Sequence, residues 1–176
     1  HIAELMGDQG KILGCDRTAS RLKKVQQNAE RLQLRSISLF HEDFRQLFQW
    51  KETGDRLLLD VPCSGLGTLH KRPDLRWRKT PEKITEIALL QKELLEQGST
   101  YVKPNGFLVY ATCTLHPLEN EKIIESFLNN HSNWQIIRPK KDSPAFPFLT
   151  SKGWIQVLPH RHNMDGFFMI KLQRGI

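Results

Sequence analysis

The chain has 176 residues, of which 39% are hydrophobic and 26% charged, a composition typical of one globular domain with a sizeable core. Three cysteines, an odd number, exclude a disulfide scaffold and indicate a reducing, cytoplasmic setting. The 26 Lys and Arg residues exceed the 19 Asp and Glu residues, and the net charge of +7 favours a nucleic-acid partner. The sequence contains neither a long apolar run nor a signal peptide, so we expect no membrane partner.

Short apolar runs alternate with helical patterns along the chain. The pattern predicts strands at residues 11–16, 36–40, 56–61, 106–111, 155–158 and 167–172. It predicts helices at residues 18–34, 81–102 and 117–130, with Thr18 and Thr80 as N-caps. The strand at 56–61 is a continuous apolar run, which predicts burial on both faces.

This alternation indicates an α/β fold with a mostly parallel sheet. Residues 159–166 leave no room for a crossover helix, so we expect the last two strands to be antiparallel. No linker divides the chain, which predicts a single domain over residues 1–176.

Polar residues follow four of the predicted strands. Asp16 and Asp43 follow the first two strands, Asp60 ends the third, and Thr112 to Thr114 follow the fourth. An Asp at a strand end is often only a helix cap, but ligands of open α/β sheets bind at the carboxyl ends of the strands. We therefore expect these residues to share one ligand-binding edge, with Asp16 placed to bind ribose hydroxyls.

Two cysteines follow different strands at this edge. Cys63 lies in a Pro-Cys-Ser-Gly turn, and Cys113 lies between two threonines. A cysteine alone is often a small buried hydrophobe, which is how we interpret Cys15. A thiolate, however, is the nucleophile suited to add to carbon 6 of a pyrimidine and to leave again afterwards.

A basic segment, residues 70–79, follows the Cys63 turn and combines cations with an aromatic ring. Such a run is usually a solvated surface, but cations bind phosphates and an indole stacks on bases. The position next to a candidate catalytic turn favours RNA contact. The residues expected to make it are Lys71, Arg72, Arg76, Trp77 and Arg78.

The histidines are scattered among predicted loops and helix ends. They have no convincing ligand spacing, so we expect no metal site.

Several motifs, spread over nearly the whole chain, resemble those of the Sun-type RNA cytosine 5-methyltransferases. The motifs are Leu59–Thr68, Arg72-Pro73-Asp74 with Arg76-Trp77, Tyr110–Thr114, Glu119-Asn120-Glu121 and Asp165–Phe168. The pair of Pro-Cys and Thr-Cys-Thr motifs is specific to this group, since other pyrimidine 5-methyltransferases use a single Pro-Cys cysteine.

The resemblance implies a Rossmann-like, S-adenosylmethionine-dependent methyltransferase fold and, for bacterial members, small-subunit ribosomal RNA as the substrate. It implies that Cys113 is the nucleophile, that Cys63 assists release of the methylated RNA, and that Asp60 contacts cofactor and target base. Asp16 matches the acid on the cofactor's ribose and Asp43 the acid near its adenine. We expect a monomer that acts in the cytoplasm.

The chain departs from the family at its start. Residues 1–6 resemble the end of a helix, and the family's first strand, its glycine-rich loop and its N-terminal RNA-binding region are missing. We therefore expect an inactive fragment of an active parent protein.

Two alternatives stay open. One is a non-catalytic RNA-binding relative that keeps the fold but not the cofactor site. The other is an amino-group methyltransferase, although such an enzyme would carry Asp/Asn-Pro-Pro-aromatic where this chain has Asp60-Val61-Pro62-Cys63.

Overall fold

The computed structural model describes all 176 residues. They form two compact units, residues His1–Gln49 and Trp50–Ile176. The single catalytic domain over residues 1–176 stays a prediction.

The first unit is built on two parallel strands. Its elements are α1 (Ile2–Leu5), β1 (Ile12–Cys15), α2 (Ala19–Arg31) and β2 (Ile37–Phe40). Thr18 precedes α2 as predicted, but its side chain makes no capping hydrogen bond. Its backbone N–H instead donates to the carboxylate of Asp16, 2.7 Å away, so the turn after β1 is closed by the acid.

The second unit contains one five-stranded sheet. Its strands are β3 (Gly54–Asp60), β4 (Val102–Thr112), β5 (Trp134–Ile136), β6 (Ile155–Val157) and β7 (Phe167–Arg174). Its helices are α3 (Leu75–Arg78), α4 (Pro81–Tyr101), α5 (Glu121–Asn130) and α6 (Pro159–His162).

All strands of this sheet except β7 run in one direction. β3 and β4 are parallel, whereas β4, β5 and β6 each pair with β7 in antiparallel register. β5 and β6 are short and pair with different stretches of β7. The antiparallel pairing of the last two strands is confirmed.

The core of the second unit lies around β4 and β7. Fully buried side chains alternate along both strands, as expected of strands whose neighbours cover them on two sides. The side chains below 2% exposure here include Leu108, Tyr110, Phe168, Ile170 and Leu172. From α5, Ile124 and Phe127 are buried to 0% and 2% exposure.

The starts of two helices differ in how far they follow the prediction. α4 begins as predicted, with the Thr80 side chain accepting a hydrogen bond from the N–H of Lys83. The predicted helix at 117–130 is divided instead: Pro117–Glu119 form a 3-10 turn and α5 starts at Glu121. The break turns the Glu119 and Asn120 side chains into the interior, where both are fully buried.

One expectation about the strands was wrong, and one strand was not predicted. β3 is not buried on both faces, because it lies at the edge of its sheet and Leu58 is 53% exposed. β5 has no counterpart among the predicted strands, since its three residues carry too short a pattern and are ordered by pairing with β7.

The longest helix, α4, has 21 residues and carries charged side chains along its length. None of the helices combines the length and the apolar character that a bilayer-spanning segment needs.

Candidate active site

The candidate site lies at the carboxyl edge of the five-stranded sheet. Asp60 is the last residue of β3 and pairs with Ala111 of β4, so Asp60 and Cys113 leave the sheet at the same level. The loop that follows β6 ends at this edge too, because Thr112 and Gln156 both pair with Phe168.

The two cysteines meet here. The Sγ atoms of Cys63 and Cys113 are 3.2 Å apart, which is hydrogen-bond distance for a thiol and its neighbour. Both cysteines are free and half-buried.

The contact changes the pKa values of the two thiols in opposite directions. A hydrogen bond from the Cys63 thiol, helped by the nearby Arg72 cation, lowers the pKa of Cys113 to about 7, although burial and the Asp60 carboxylate oppose this change. The same contact, together with burial, raises the pKa of Cys63. Cys113 is therefore the more acidic thiol of the pair.

Gly67 and Gly166 let the Cys63 turn lie close to the end of β4. The N–H of Gly67 donates to the carbonyl of Cys113 at 3.0 Å, and the N–H of Gly166 donates to the carbonyl of Gly67 at 2.8 Å. A Cβ on Gly67 would collide with the backbone carbonyls of Cys113 and Gly166. Gly65 has a φ of 75°, a left-handed conformation that favours glycine. The glycines of this turn thus serve backbone packing beside the cysteines.

A buried polar cluster lies beneath the cysteines and is centred on Glu119. One carboxylate oxygen of Glu119 accepts hydrogen bonds from the Ser64 hydroxyl at 2.5 Å and from the Thr114 hydroxyl at 3.3 Å. The other accepts from the N–H of Ser64 at 2.7 Å and from the amide of Gln91 at 3.2 Å. Ser64, Gln91, Thr114 and Glu119 are each at most 1% exposed.

The neighbouring side chains extend this cluster. The Tyr110 hydroxyl donates to the carbonyl of Glu119, and the Thr112 hydroxyl donates to the side chain of Asn120 at 2.6 Å. Asn120 in turn donates to the carbonyl of Thr114. The polar groups at the end of β4 are therefore satisfied by the turn that precedes α5.

The basic segment has a different character. Trp77 is 88% exposed. Lys71 pairs with Asp165 at 2.8 Å and Arg78 with Asp74 at 3.1 Å, and all four of these side chains are at least one-third exposed. A surface cavity of about 340 Å³ begins at the indole and is lined by Leu75, Trp77, Arg78, Lys79, Thr80 and Lys83.

The two acids of the first unit are engaged by local partners. Asp16 accepts from Thr18 and lies 3.5 Å from the guanidinium of Arg21. Asp43 accepts from the backbone and guanidinium of Arg45, with the shortest bond at 2.7 Å, and these bonds lower the pKa of Asp43 to about 2. Both acids lie at the carboxyl edge of the two-stranded sheet.

A family model described as the 16S rRNA methyltransferase RsmB/F matches residues 1–173 of the chain. The chain belongs to this family.

Named relatives of the RsmB/F chain agree with this assignment. A probable ribosomal RNA small subunit methyltransferase B of Synechocystis is 48% identical over 99% of the chain and 40% of its own length. The crystal structure of PH0851 is 38% identical, with a TM-score of 0.89, over 99% of the chain and 39% of its own length. The structure of NSun6 from Pyrococcus horikoshii with SFG is 29% identical, with a TM-score of 0.80, over 99% and 44% of the two chains.

These matches confirm the predicted fold class, a Rossmann-like methyltransferase sheet that is mostly parallel and has one antiparallel strand. The chain spans about 40% of the length of the curated relatives it matches.

The structure brings together only part of the predicted site of this RsmB/F chain. Cys63 and Cys113 are in contact, and Asp60 and Arg72 are near enough to change the pKa of Cys113. Asp16 and Asp43 lie in the other unit, and their place in a common cleft with Asp60 stays a prediction.

Sequence reasoning gave no role to the buried cluster. The motifs include Ser64, Thr114 and Glu119, and Thr114 is expected at the ligand-binding edge, but the sequence assigns none of them to a buried cluster, and Gln91 carries no signal. A signal was available, since Ser64 and Thr114 each directly follow one of the two cysteines.

Proposed function

We propose that the protein carrying this chain transfers a methyl group from S-adenosylmethionine to carbon 5 of cytosine in small-subunit ribosomal RNA, through a covalent bond between Cys113 and carbon 6. The observation that supports this most is the contact of two thiols, 3.2 Å apart, at the carboxyl edge of a methyltransferase sheet. A single nucleophilic cysteine would not need a second thiol beside it.

Cys113 acts first. Its lowered pKa supplies thiolate at neutral pH, and attack on carbon 6 pushes electrons to carbon 5, which then becomes nucleophilic. Asp60, at the end of β3, is close enough to Cys113 to raise its pKa, and in this proposal its carboxyl contacts the exocyclic amine or N3 of the base.

Cys63 acts last. After carbon 5 has gained a methyl group it still carries a proton, and the bond to Cys113 breaks only once that proton has left. A water molecule takes this proton, the electron pair of the carbon 5–hydrogen bond re-forms the double bond between carbons 5 and 6, and the Cys113 thiolate departs. Cys63 lies beside the departing sulfur and assists this elimination.

Two acids fit the cofactor's adenosine. Asp16 and Asp43 present carboxylate oxygens at the ends of neighbouring parallel strands, which suits ribose hydroxyls and the adjoining adenine edge. S-adenosylmethionine, when bound there, supplies an electrophilic methyl group.

The basic segment holds the RNA. Lys71, Arg72, Arg76 and Arg78 neutralise phosphates, and the exposed indole of Trp77 offers a face for base stacking. The substrate places the reaction in the cytoplasm. Action as a monomer stays a prediction.

The experiment is a methylation assay on the full-length gene product. Small-subunit ribosomal RNA is incubated with S-adenosylmethionine carrying a labelled methyl group, digested to nucleosides and examined by mass spectrometry. We expect label in 5-methylcytidine, and none with Cys113→Ala. Label on another atom would contradict the proposed chemistry, and RNA binding without any label would favour a non-catalytic RNA-binding protein.

A further inference from the structure

Glu119 is an acid in an unusual position. Its side chain is fully buried, yet the ion pairs of the structure do not include it. Burial of an unpaired carboxylate is costly unless hydrogen bonds replace its water. Four donors do so here, from the backbone and hydroxyl of Ser64, the hydroxyl of Thr114 and the amide of Gln91.

The partners of Glu119 are the residues next to the reactive thiols. Ser64 follows Cys63 and Thr114 follows Cys113, and both hydroxyls bind the same carboxylate oxygen. The two hydroxyl oxygens also lie only 2.7 Å apart. One carboxylate therefore joins the turn after β3 to the end of β4, immediately beneath the contact of the two sulfurs.

We propose that Glu119 is a positioning residue, whose carboxylate sets the distance between the Cys63 and Cys113 thiols by holding the residue that follows each of them. This inference rests on the proposed roles of the two cysteines. The hydrogen bonds of the Glu119 carboxylate go to Ser64, Thr114 and Gln91 and to neither sulfur.

A second hydrogen bond restricts the same turn. Gln91 of α4 donates both to Glu119 and to the carbonyl of Pro62, the residue before Cys63. The Cys63 turn is therefore tied on both sides of the cysteine to one buried cluster. Without the Glu119 carboxylate, Ser64 and Gln91 lose their common acceptor, and the turn is free to move away from Cys113.

The consequence is measurable at the thiol. The Cys63 hydrogen bond is the main cause of the lowered pKa of Cys113, so separation of the sulfurs returns that pKa toward its ordinary value of 9.0. At pH 6 the thiolate fraction then falls about 90-fold, while the greater basicity raises its intrinsic reactivity about eightfold. The net expectation is alkylation about tenfold slower.

The experiment measures alkylation of each cysteine by iodoacetamide between pH 5 and 10, with peptide mass spectrometry, on the full-length gene product. Cys15 is the internal reference, since it lies in the other unit and its pKa is raised by burial. We expect Glu119→Ala to slow Cys113 about tenfold at pH 6 and to leave Cys15 unchanged.

Two further variants separate positioning from general loosening. Glu119→Gln keeps a carbonyl oxygen for the Ser64 and Gln91 N–H groups, and its amide donates to two hydroxyls that can rotate, so we expect a wild-type profile. Thr112→Val removes a buried hydrogen bond of the neighbouring cluster, to Asn120, without touching Glu119. We expect it to leave the Cys113 profile unchanged.

The proposal is overturned if Glu119→Ala leaves the Cys113 profile at wild type, if Thr112→Val slows Cys113 equally, or if Glu119→Gln behaves like alanine. If Glu119→Ala does not fold, Ser64→Ala replaces it: about threefold slowing supports the proposal and none overturns it. The readout needs no methyl transfer. The methylation assay tests the catalytic roles of the cysteines, and alkylation tests the positioning role of Glu119. Failure of one can therefore be distinguished from failure of the other.

Discussion

The cysteine site and the basic segment, which follows Cys63 closely in sequence, are opposite in construction. Cys63 and Cys113 rest on side chains that are at most 1% exposed and joined by hydrogen bonds. Trp77, in the basic segment, is 88% exposed, and the ion pairs around it lie at the surface, where each contributes about 0–1 kcal/mol. The proposed catalytic groups are thus fixed by the interior, whereas the proposed RNA-binding groups are left able to adapt.

This difference predicts two kinds of mutational effect. A change beneath the cysteines should alter stability and chemistry together, because the same contacts serve both. A change in the basic segment should alter affinity for RNA and leave the folded state nearly unchanged.

The largest effect is expected at Gly67. A Cβ in Gly67→Ala meets backbone carbonyls on both sides, which cannot rotate away as a side chain can. We expect a loss of about 3 kcal/mol in the free energy of unfolding, and methylation reduced about 100-fold because Cys63 is displaced from Cys113. Chemical denaturation and the methylation assay measure the two effects.

Gly7→Ala is the matched control for Gly67→Ala. Gly7 has a φ of 60°, but a Cβ there meets nothing within 4 Å. We expect backbone strain to lower the free energy of unfolding by about 1 kcal/mol and the methylation rate to stay unchanged. If Gly67→Ala turned over at the wild-type rate, the close approach of the turn to Cys113 would not matter for the reaction.

An intermediate effect is expected in the basic segment. Arg76→Ala with Arg78→Ala should flatten the slope of log affinity against log salt by about 1.4, at about 0.7 for each single-strand phosphate no longer neutralised. The free energy of unfolding should change by less than about 0.5 kcal/mol. RNA titrations at several salt concentrations test the slope.

The control for the arginine pair removes the same charge from the opposite edge of the sheet. Lys51 and Lys103 lie at the amino ends of β3 and β4, and their double alanine variant should keep the wild-type salt slope. An equal flattening in both variants would mean that only net charge matters, and the basic segment would then be an ordinary solvated surface.

The smallest effect concerns Asp43. Arg45 holds the pKa of this carboxyl at about 2, below its ordinary value of 3.8. The resulting stability is complete above about pH 4 and is lost as the pH falls through 2. Because the Arg45 side chain is 36% exposed, solvent screens the ion pair. We expect the pair to contribute about 1 kcal/mol to the free energy of unfolding. Asp43→Asn should lack this acid-dependent part in denaturation curves between pH 5 and 2, and an identical pH dependence in the variant would contradict the assignment.

The sequence predicted what local patterns determine. The strands at 11–16, 36–40, 106–111 and 167–172 and the start of α4 follow from apolar runs and from Thr80-Pro81. The exposure of Leu58 does not follow from the apolar run, because burial depends on which strand lies beside β3. The three residues of β5 could not be found, because pairing with β7 orders them.

The candidate site, too, could be predicted only in part. Motifs brought out Cys63 and Cys113, but nothing in their spacing states that the two sulfurs touch. The roles of Ser64 and Thr114 became visible only when Glu119 was seen to bind both. A buried polar cluster is a property of three chain segments at once, and one segment read alone resembles ordinary polar sequence.

The most direct test of the proposed roles is a denaturing gel of the full-length protein, incubated with small-subunit ribosomal RNA and S-adenosylmethionine. Cys63→Ala should accumulate a slow protein–RNA band, because Cys113 still adds to the base while release fails. Cys113→Ala, and the double variant, should give no such band. If Cys113→Ala accumulated the band instead and Cys63→Ala turned over normally, the assignment of nucleophile and releasing group would be contradicted.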